Sequence, residues 1–293
     1  MFGFLNVRKP PGPTSHDMVD RVRRAIRRGP AGREGVKVGH GGTLDPFAEG
    51  VLVVCVGPAV RLVEFVQAEP KQYLAQLTLG ATSDTDDPTG RITQTCATAP
   101  TEAAVREALA RFVGQVDQTP PAYSAVQVEG RRAYKLARKG EKVELRPRRV
   151  TIHSIRLLAY DWPTADIDVS CGGGTYIRAI ARDVGAALGA GAYCSRLVRT
   201  AVGPFKVDDA VGPDHLDLPR DLISPLVVLD RLPKITLDQA GARALTLGKT
   251  VGLASASPPG EVAVLDEHGR LIALATVDGN GRTVRGNKVL SAR

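Results

Sequence analysis

His40-Gly41-Gly42-Thr43-Leu44-Asp45-Pro46-Phe47-Ala48-Glu49-Gly50-Val51-Leu52 is the stretch that decides how this chain is to be read. Two glycines followed by an acid before a proline describe a tight backbone turn that presents one carboxylate. An Asp-Pro turn can be only a turn, and on that reading Asp45 is structural. The sequence on either side gives the turn its context.

Upstream, Pro10-Pro11-Gly12-Pro13-Thr14-Ser15 ends in residues able to cap a helix. Met18, Val19, Val22 and Ile26 then share one helical face, while Arg21, Arg23, Arg24, Arg27 and Arg28 spread over the rest. Downstream, residues 73–79 alternate like a half-buried strand. Thr101 to Phe112 has helical spacing. Ile167 to Ser170 reads as a strand running into Cys171-Gly172-Gly173-Gly174, and Ile177, Ile180, Ala181, Val184 and Leu188 mark a second helix. Strands and helices alternate without a regular βαβ period, which predicts an α+β fold rather than a doubly wound one.

Proline-bounded residues 225–233 read as a linker. Beyond it, a short helix over 236–247 and the apolar runs 262–265, 271–275 and 288–290 predict a small C-terminal β-barrel. The expected division is therefore 1–230 and 231–293.

The 293 residues are 43% hydrophobic with a mean hydropathy of -0.08, enough for a sizeable core and incompatible with global disorder. No run approaches the length of a membrane span, and the N-terminal residues lack the apolar core of a secretory signal, so a cytoplasmic protein is expected. Lys and Arg outnumber Asp and Glu 39 to 31, a formal charge of +8, which favours a polyanionic partner. Cys55, Cys96, Cys171 and Cys194 are far apart, which excludes zinc-ribbon and dithiol spacing and suggests reduced, buried thiols. No metal-ligand spacing or Walker loop is present, so neither metal nor cofactor is expected. Asp84, Asp86 and Asp87, before Pro88-Thr89-Gly90, read as an exposed turn rather than a cation site. The triple glycine reads as a tight helix entry rather than a phosphate cradle.

The densest charge lies at Arg131, Arg132, Lys135, Arg138, Lys139, Lys142, Arg146, Arg148 and Arg149, nine basic residues against Glu141 and Glu144. Tyr123 and Tyr134 lie in or beside it. Positive charge interleaved with aromatics suits phosphates and unstacked bases, and Thr119-Pro120-Pro121 suggests an arm rooted there, covering about residues 120–150.

The opening stretch, H-x-G-x-L-D-P-x-A-x-G-x-L, resembles the signature of the TruB family of tRNA pseudouridine synthases. Lys9-Pro10-Pro11-Gly12-Pro13-Thr14-Ser15 is similar to that family's K-P-x-G-x-T-S. Lys71-Gln72-Tyr73 resembles its K-x-Y, and Pro120-Pro121-Ala122-Tyr123-Ser124-Ala125 its P-P-x-Y-S-A. Gly174-Thr175-Tyr176-Ile177-Arg178 resembles G-T-Y-I-R, and Leu197-Val198-Arg199-Thr200 lies at L-x-R-T. The likeness covers about the first 200 residues in order, and the C-terminal part is more weakly similar to a PUA-type RNA-binding domain. Gly41, where Ala or Thr is more usual, and Gly172-Gly173, where serines are often found, depart from the pattern and suggest looser loops.

The resemblance implies a pseudouridine synthase fold, a mixed and mainly antiparallel sheet flanked by helices, with a PUA-like C-terminal domain. It implies isomerisation of uridine 55 in the tRNA T loop, with base flipping and a C–N to C–C glycosidic rearrangement. Asp45 is then the catalytic carboxylate and Arg178 its ion-pair partner. The pairing also suits electrostatics, since an arginine at a helix start opposes the helix dipole unless an anion is placed beside it. Tyr73 and Leu197 would sandwich the flipped uracil, Tyr176 would set its phenol near the base, and His40 would fill the space the nucleotide leaves. Arg131, Arg132, Lys135, Arg148 and Arg149 would grip the RNA backbone. The partner implied is the T arm of tRNA, with no membrane, no required protein partner and a monomeric enzyme. The rival reading is a non-catalytic tRNA-binding or tRNA-folding protein on the same scaffold, and a second is a related synthase within a guide-RNA complex. Asp45, Tyr73, Tyr176 and Arg178 are all present, which argues against lost chemistry, and the short C-terminal region favours stand-alone action.

Overall fold

A helical face that buries Met18, Val19, Val22 and Ile26 needs an apolar partner, and the first strands supply it. The computed structural model describes residues 2–28, 35–96, 98–124, 126–128, 130–137 and 144–290, without the side chains of residues 128, 132, 135 and 137. Helix α1 (Ser15–Arg28) is capped by Thr14, whose backbone N–H donates to Asp17 Oδ2 at 2.7 Å while its Oγ1 accepts from the Asp17 N–H at 3.1 Å. It packs on β1 (Gly3–Lys9), β2 (Val38–His40) and β3 (Glu49–Val56) through Leu5, Val7, Val38, Leu52 and Val54. The opposite face of β1 and β3, with Phe4, Val51 and Val53, is also covered, which explains why β3 is apolar almost throughout.

After a 3₁₀ turn (Gly57–Leu62) and α2 (Val63–Ala68), β4 (Lys71–Leu79) alternates buried and less buried residues as its sequence predicts. A small hairpin of β5 (Ala81–Ser83) and β6 (Ile92–Gln94) precedes α3 (Glu102–Ala110) and the edge strand β7 (Gly114–Gln118). Next come β8 (Gln127–Val128), β9 (Arg131–Arg132) and the single turn α4 (Ala133–Ala137). The chain returns through β10 (Arg148–Asp161), β11 (Thr164–Cys171), α5 (Ile177–Ala187), β12 (Ala192–Val202) and β13 (Phe205–Lys206).

The main sheet runs β1-β3-β12-β4-β11-β10-β7, with β2 added on β3 and β13 on β12. Its pairings are antiparallel except β3 with β12, where Val198 and Arg199 meet Glu49 and Gly50. This one parallel pairing sets the strand carrying Leu197 and Arg199 beside the loop carrying Asp45. Helices α3 and α5 close the core over β4, β10 and β11 through Val105, Leu109, Ile180 and Val184. The α+β expectation holds.

The C-terminal part differs in detail from its sequence reading. Residues 225–233 are not a free connection. A 3₁₀ turn (Pro225–Val228), capped by Ser224, buries Val228 and Leu229 in a cluster shared by Phe4, Val51, Ala263 and Leu274. Five strands, not three, then form a sheet: β14 (Lys234–Thr236), β15 (Val251–Gly252), β16 (Gly260–Leu265), β17 (Leu271–Val277) and β18 (Thr283–Val289), in the order β14-β16-β17-β18-β15. Thr236 ends a strand rather than opening a helix. Asp238, which accepts from the Gly241 N–H at 2.7 Å, fixes the start of α6 (Gln239–Thr246). Arg61 donates to the Val289 carbonyl and Lys288 pairs with Glu64, so this sheet is fastened to the main one by polar as well as apolar contacts.

Candidate active site

The loop between β2 and β3 is held from three sides by buried polar groups. Ser15 Oγ donates to the Leu44 carbonyl and accepts from the Leu44 N–H, both at 2.8 Å. Lys9, 0% exposed, donates its three N–H groups to Pro10, Pro46 and Ala48 carbonyls at 2.9, 3.0 and 2.6 Å. Arg199 donates to the Gly42, Thr43 and Val51 carbonyls at 3.1, 3.2 and 2.7 Å. Asp45 is thus bracketed before and after by fixed backbone. Gly50 is required here twice over. Its φ is +109°, and a Cβ would lie 2.2 Å from the Arg199 carbonyl oxygen.

The expected loosening at Gly41 is not found. Gly41 is buried, and a Cβ there would lie 2.4 Å from Val66 Cγ1 on α2, so the small residue makes room for a stiff branched one. Gly173 likewise approaches the Gln67 carbonyl, 2.6 Å from where its Cβ would be.

Opposite the loop, α5 begins at Ile177 and places Arg178 in its first turn, 2% exposed. Nε donates to Asp45 Oδ2 at 2.9 Å and Nη2 to Asp45 Oδ1 at 3.1 Å, a bidentate fork. Nη1 donates to the Thr85 carbonyl at 2.8 Å and to Asp87 Oδ2 at 3.2 Å, and Nη2 also to the Tyr123 carbonyl at 3.0 Å. All five guanidinium N–H groups are used, and lysine could not reproduce that fork. Two carboxylates offset the unfavourable position of a cation at a helix start. The Asp45 side chain stays 27% exposed, so its oxygens keep a face open to a ligand.

Asp87 corrects the sequence reading of residues 84–90 as an exposed turn. The turn exists, but Asp87 is buried beneath it. Its Oδ1 accepts from Thr85 Oγ1 at 2.7 Å, the Thr89 N–H at 3.0 Å and Thr89 Oγ1 at 2.5 Å, leaving Oδ2 for Arg178. Among the described residues no group of His, Cys, Asp and Glu is arranged to hold a metal.

Tyr73 and Leu197 join Leu44 and Ala48 in one buried cluster, with Tyr73 opposite Arg199 in the β4–β12 register. Burial pushes the Tyr73 phenol up, and nearby Arg199 opposes that shift. Tyr176 caps α5, and its backbone is clamped by Gln118. Gln118 Oε1 accepts from the Tyr176 N–H at 2.8 Å, and Nε2 donates to the Tyr176 carbonyl at 3.1 Å. Burial raises the Tyr176 phenol as well, with Asp45 adding to the rise and Ser124 and Arg148 opposing it. Both phenols therefore stay protonated and lie within the field of Asp45. His40 ends β2, half-buried, before the Gly41-Gly42 bend.

Arg148 and Arg149 are exposed at the start of β10, paired in register with Gln118 and Asp117. Arg131 is exposed on β9. The side chains of Arg132 and Lys135 fall outside the described residues, as do Arg138, Lys139 and Lys142.

Sequence reasoning assigned no role to Lys9, Lys71, Asp87, Gln118 or Arg199. Lys71 is buried and donates to the Gln67 and Glu69 carbonyls. No local signal marks them: Lys9 follows the exposed Arg8 at the end of β1, and two adjacent cations closing a strand read as a solvated end.

Residues 29–177 match the TruB family pseudouridylate synthase N-terminal domain. The chain is 40% identical to tRNA pseudouridine synthase B of Syntrophomonas wolfei, with 94% of this chain and 93% of the relative covered. It is 46% identical to that of Symbiobacterium thermophilum, over 83% and 81%, and 39% identical to that of Synechocystis, over 99% and 100%. A solved Cbf5-Nop10-Gar1 complex contains a chain similar at TM-score 0.72 and 26% identity, covering 100% of this chain and 86% of that one. An H/ACA RNP bound to a substrate RNA containing 2′-deoxyuridine gives TM-score 0.71 at 25% identity, with the same coverage.

Proposed function

Because the chain belongs to the TruB family of pseudouridylate synthases, we propose that it converts uridine 55 in the T loop of tRNA to pseudouridine, with Asp45 as the catalytic carboxylate. It is an isomerase of tRNA uridine: the N1–C1′ bond breaks, the uracil turns, and a C5–C1′ bond replaces it. The observation that carries the assignment of Asp45 is the bidentate fork of Arg178, which orients one part-exposed carboxylate whose field reaches the phenols of Tyr73 and Tyr176.

Each residue then has a task. Attack on the sugar or base and removal of a sugar proton both need a correctly aimed carboxylate oxygen, and the Arg178 fork fixes that aim. Extruding the uridine costs a few kcal/mol of lost stacking, which the aromatic face of Tyr73, with Leu197 on the other side of the base, offsets by about 1–3 kcal/mol. Tyr176, protonated and near Asp45, is placed to exchange a proton at C5. His40 fills the gap in the T loop. Arg148 and Arg149, with Arg131, Arg132 and Lys135, bind backbone phosphates beside the site. Residues 1–230 form the catalytic unit and 231–293 a PUA-like RNA-binding unit. The enzyme acts in the cytoplasm as a monomer without a protein partner. Among the described residues no helix is long and apolar enough to cross a membrane.

Asp45→Asn tests the reading. It is nearly isosteric, while RNA affinity comes mainly from phosphate contacts and stacking. The expected result is tRNA binding within a few-fold of wild type by filter assay, with no tritium released from C5-labelled uridine. Release at the wild-type rate from Asp45→Asn would remove Asp45 from the chemistry. Release from neither protein would favour the binding-only scaffold. An isolated T-stem–loop hairpin should also react, and reaction of full-length tRNA alone would refute T-arm recognition.

A further inference from the structure

Arg182 lies one helical turn beyond Arg178 on α5, so the two guanidinium groups leave the helix on the same side. Its Nη1 donates to Asp86 Oδ2 at 3.1 Å, Nε to Asp183 Oδ1 at 2.8 Å and Nη2 to the Thr119 carbonyl at 2.9 Å. Both of its distant partners sit where the site is built. Among the described non-glycine residues, Asp86 alone has a positive φ, 59°. Aspartate tolerates that left-handed backbone better than most L-residues, but it still costs more there than glycine does, so contacts at Asp86 help to hold it. The Asp86 N–H donates to the Ser83 carbonyl and its carbonyl accepts from the Cys194 N–H, both at 3.1 Å. The turn it makes directs the next side chain, Asp87, inward to Arg178.

Thr119 is equally well placed. It follows Gln118, which clamps Tyr176, and it precedes the two prolines at the root of the basic insertion. Four residues on, the Tyr123 carbonyl accepts from Arg178. The root of the insertion is therefore fastened to α5 at both arginines, and the loop of residues 83–90 is fastened to the same two.

We propose that Arg182 is a positioning residue for the isomerisation: one guanidinium holds the left-handed turn at Asp86 and the insertion root at Thr119, and so fixes Asp87 against Arg178 and Arg178 against Asp45. This rests on the isomerase reading above. The Arg182 side chain is 29% exposed but that of Asp86 only 13%, so losing Arg182 also strands a largely buried carboxylate, a cost in stability that rate and Kd measured on folded protein leave aside. Its effect on the rate belongs to geometry, and a small displacement of a catalytic group is costly in rate.

Single-turnover tritium release from full-length tRNA, with filter binding of the same tRNA, tests the proposal on the full chain. Arg182→Gln should slow release about tenfold and leave Kd within about twofold. Glycine adopts a positive φ without penalty, so Asp86→Gly should retain the rate, and adding it to Arg182→Gln should restore release to within about threefold of wild type. Asp86→Ala keeps the Cβ but loses the ion pair, and should be slowed several-fold, less than Arg182→Gln because the Thr119 contact survives. If Arg182→Gln fails to fold, the Ala and Gly variants at position 86 decide the question alone. Wild-type release from Arg182→Gln, equal rates for Asp86→Ala and Asp86→Gly, or an Arg182→Gln defect wholly in Kd would each overturn the proposal. Inactivity of the wild type would instead overturn the isomerase reading, and this inference with it.

Discussion

Two kinds of buried cation surround Asp45, and they are neutralised differently. Arg178 is met by carboxylates, Asp45 on one edge and Asp87 on another. Lys9 and Arg199, equally buried, donate instead to backbone carbonyls. The first arrangement orients a side chain that does chemistry. The second fixes the course of the loop that carries it. A carboxylate stripped of its cation in the interior is a far worse neighbour than a carbonyl stripped of one donor, so the two kinds of cation should fail in different ways.

The largest effect is expected at Arg178. Arg178→Met leaves Asp87 buried without its cation, a change that typically costs about 3–5 kcal/mol. Urea unfolding should show that loss, and Asp87→Asn in the same chain should recover more than half of it by removing the stranded charge. Full additivity of the two substitutions would mean that the pair is not coupled, and the contrast with Lys9 would lose its basis.

A smaller loss is expected where carbonyls are the partners. Arg199→Met strands the carbonyls of Gly42, Thr43 and Val51 but no charge, and removes a buried cation's own desolvation cost. The net should be about 1–3 kcal/mol, clearly below the Arg178→Met value in the same urea titration. A cost equal to that of Arg178→Met would break the comparison.

The same distinction explains what could be read from the sequence. Local periodicity sufficed for α1, β4, α3 and α5, because each has one buried face and its pattern shows it. The sheet order and the parallel β3–β12 pairing bring together residues about 150 positions apart, and no local pattern encodes that. The pairing of Asp45 with Arg178 was legible only through the family resemblance. Asp87 was not, since Ser, Asp, Thr, Pro and Gly compose exposed and buried turns alike, and only the arrival of Arg178 from α5 distinguishes them. Lys9 and Arg199 were quoted within motifs yet left without a role, because nothing local shows that a strand-end cation will meet loop carbonyls. The C-terminal sheet was under-read for another reason. The two strands missed, β14 and β15, are three and two residues long, too short to show an alternation, β18 was read only at its end because Arg285 and Asn287 interrupt its apolar pattern, and the linker reading of residues 225–233 followed the prolines rather than the apolar side chains between them.

The finest test of the comparison is pH. Burial lowers the Lys9 ammonium from 10.5 to about 8, with Asp45 only partly opposing the shift. In the unfolded chain the group keeps its ordinary value, so between about pH 8 and 10.5 the unfolded state binds more protons there than the folded state. Stability contributed through Lys9 therefore rises with pH across that window, because the cost of burying the charge is relieved. Lys9→Met lacks this term, and other titrations cancel between the two proteins. The stability gap between wild type and Lys9→Met should widen by about 1 kcal/mol from pH 7 to pH 9. Activity should move the other way. A neutral amine has two N–H groups for three carbonyls, so one of Pro10, Pro46 and Ala48 loses its donor and the loop holding Asp45 loses a restraint. Single-turnover rate in the wild type should then fall with an apparent pKa near 8 while its thermal midpoint relative to Lys9→Met climbs. A difference between wild type and Lys9→Met that stays flat from pH 7 to pH 9 would mean that Lys9 titrates at or above its ordinary value. Such a lysine would be stabilised as a cation by Asp45, as Arg178 is, and the two kinds of buried cation would be one.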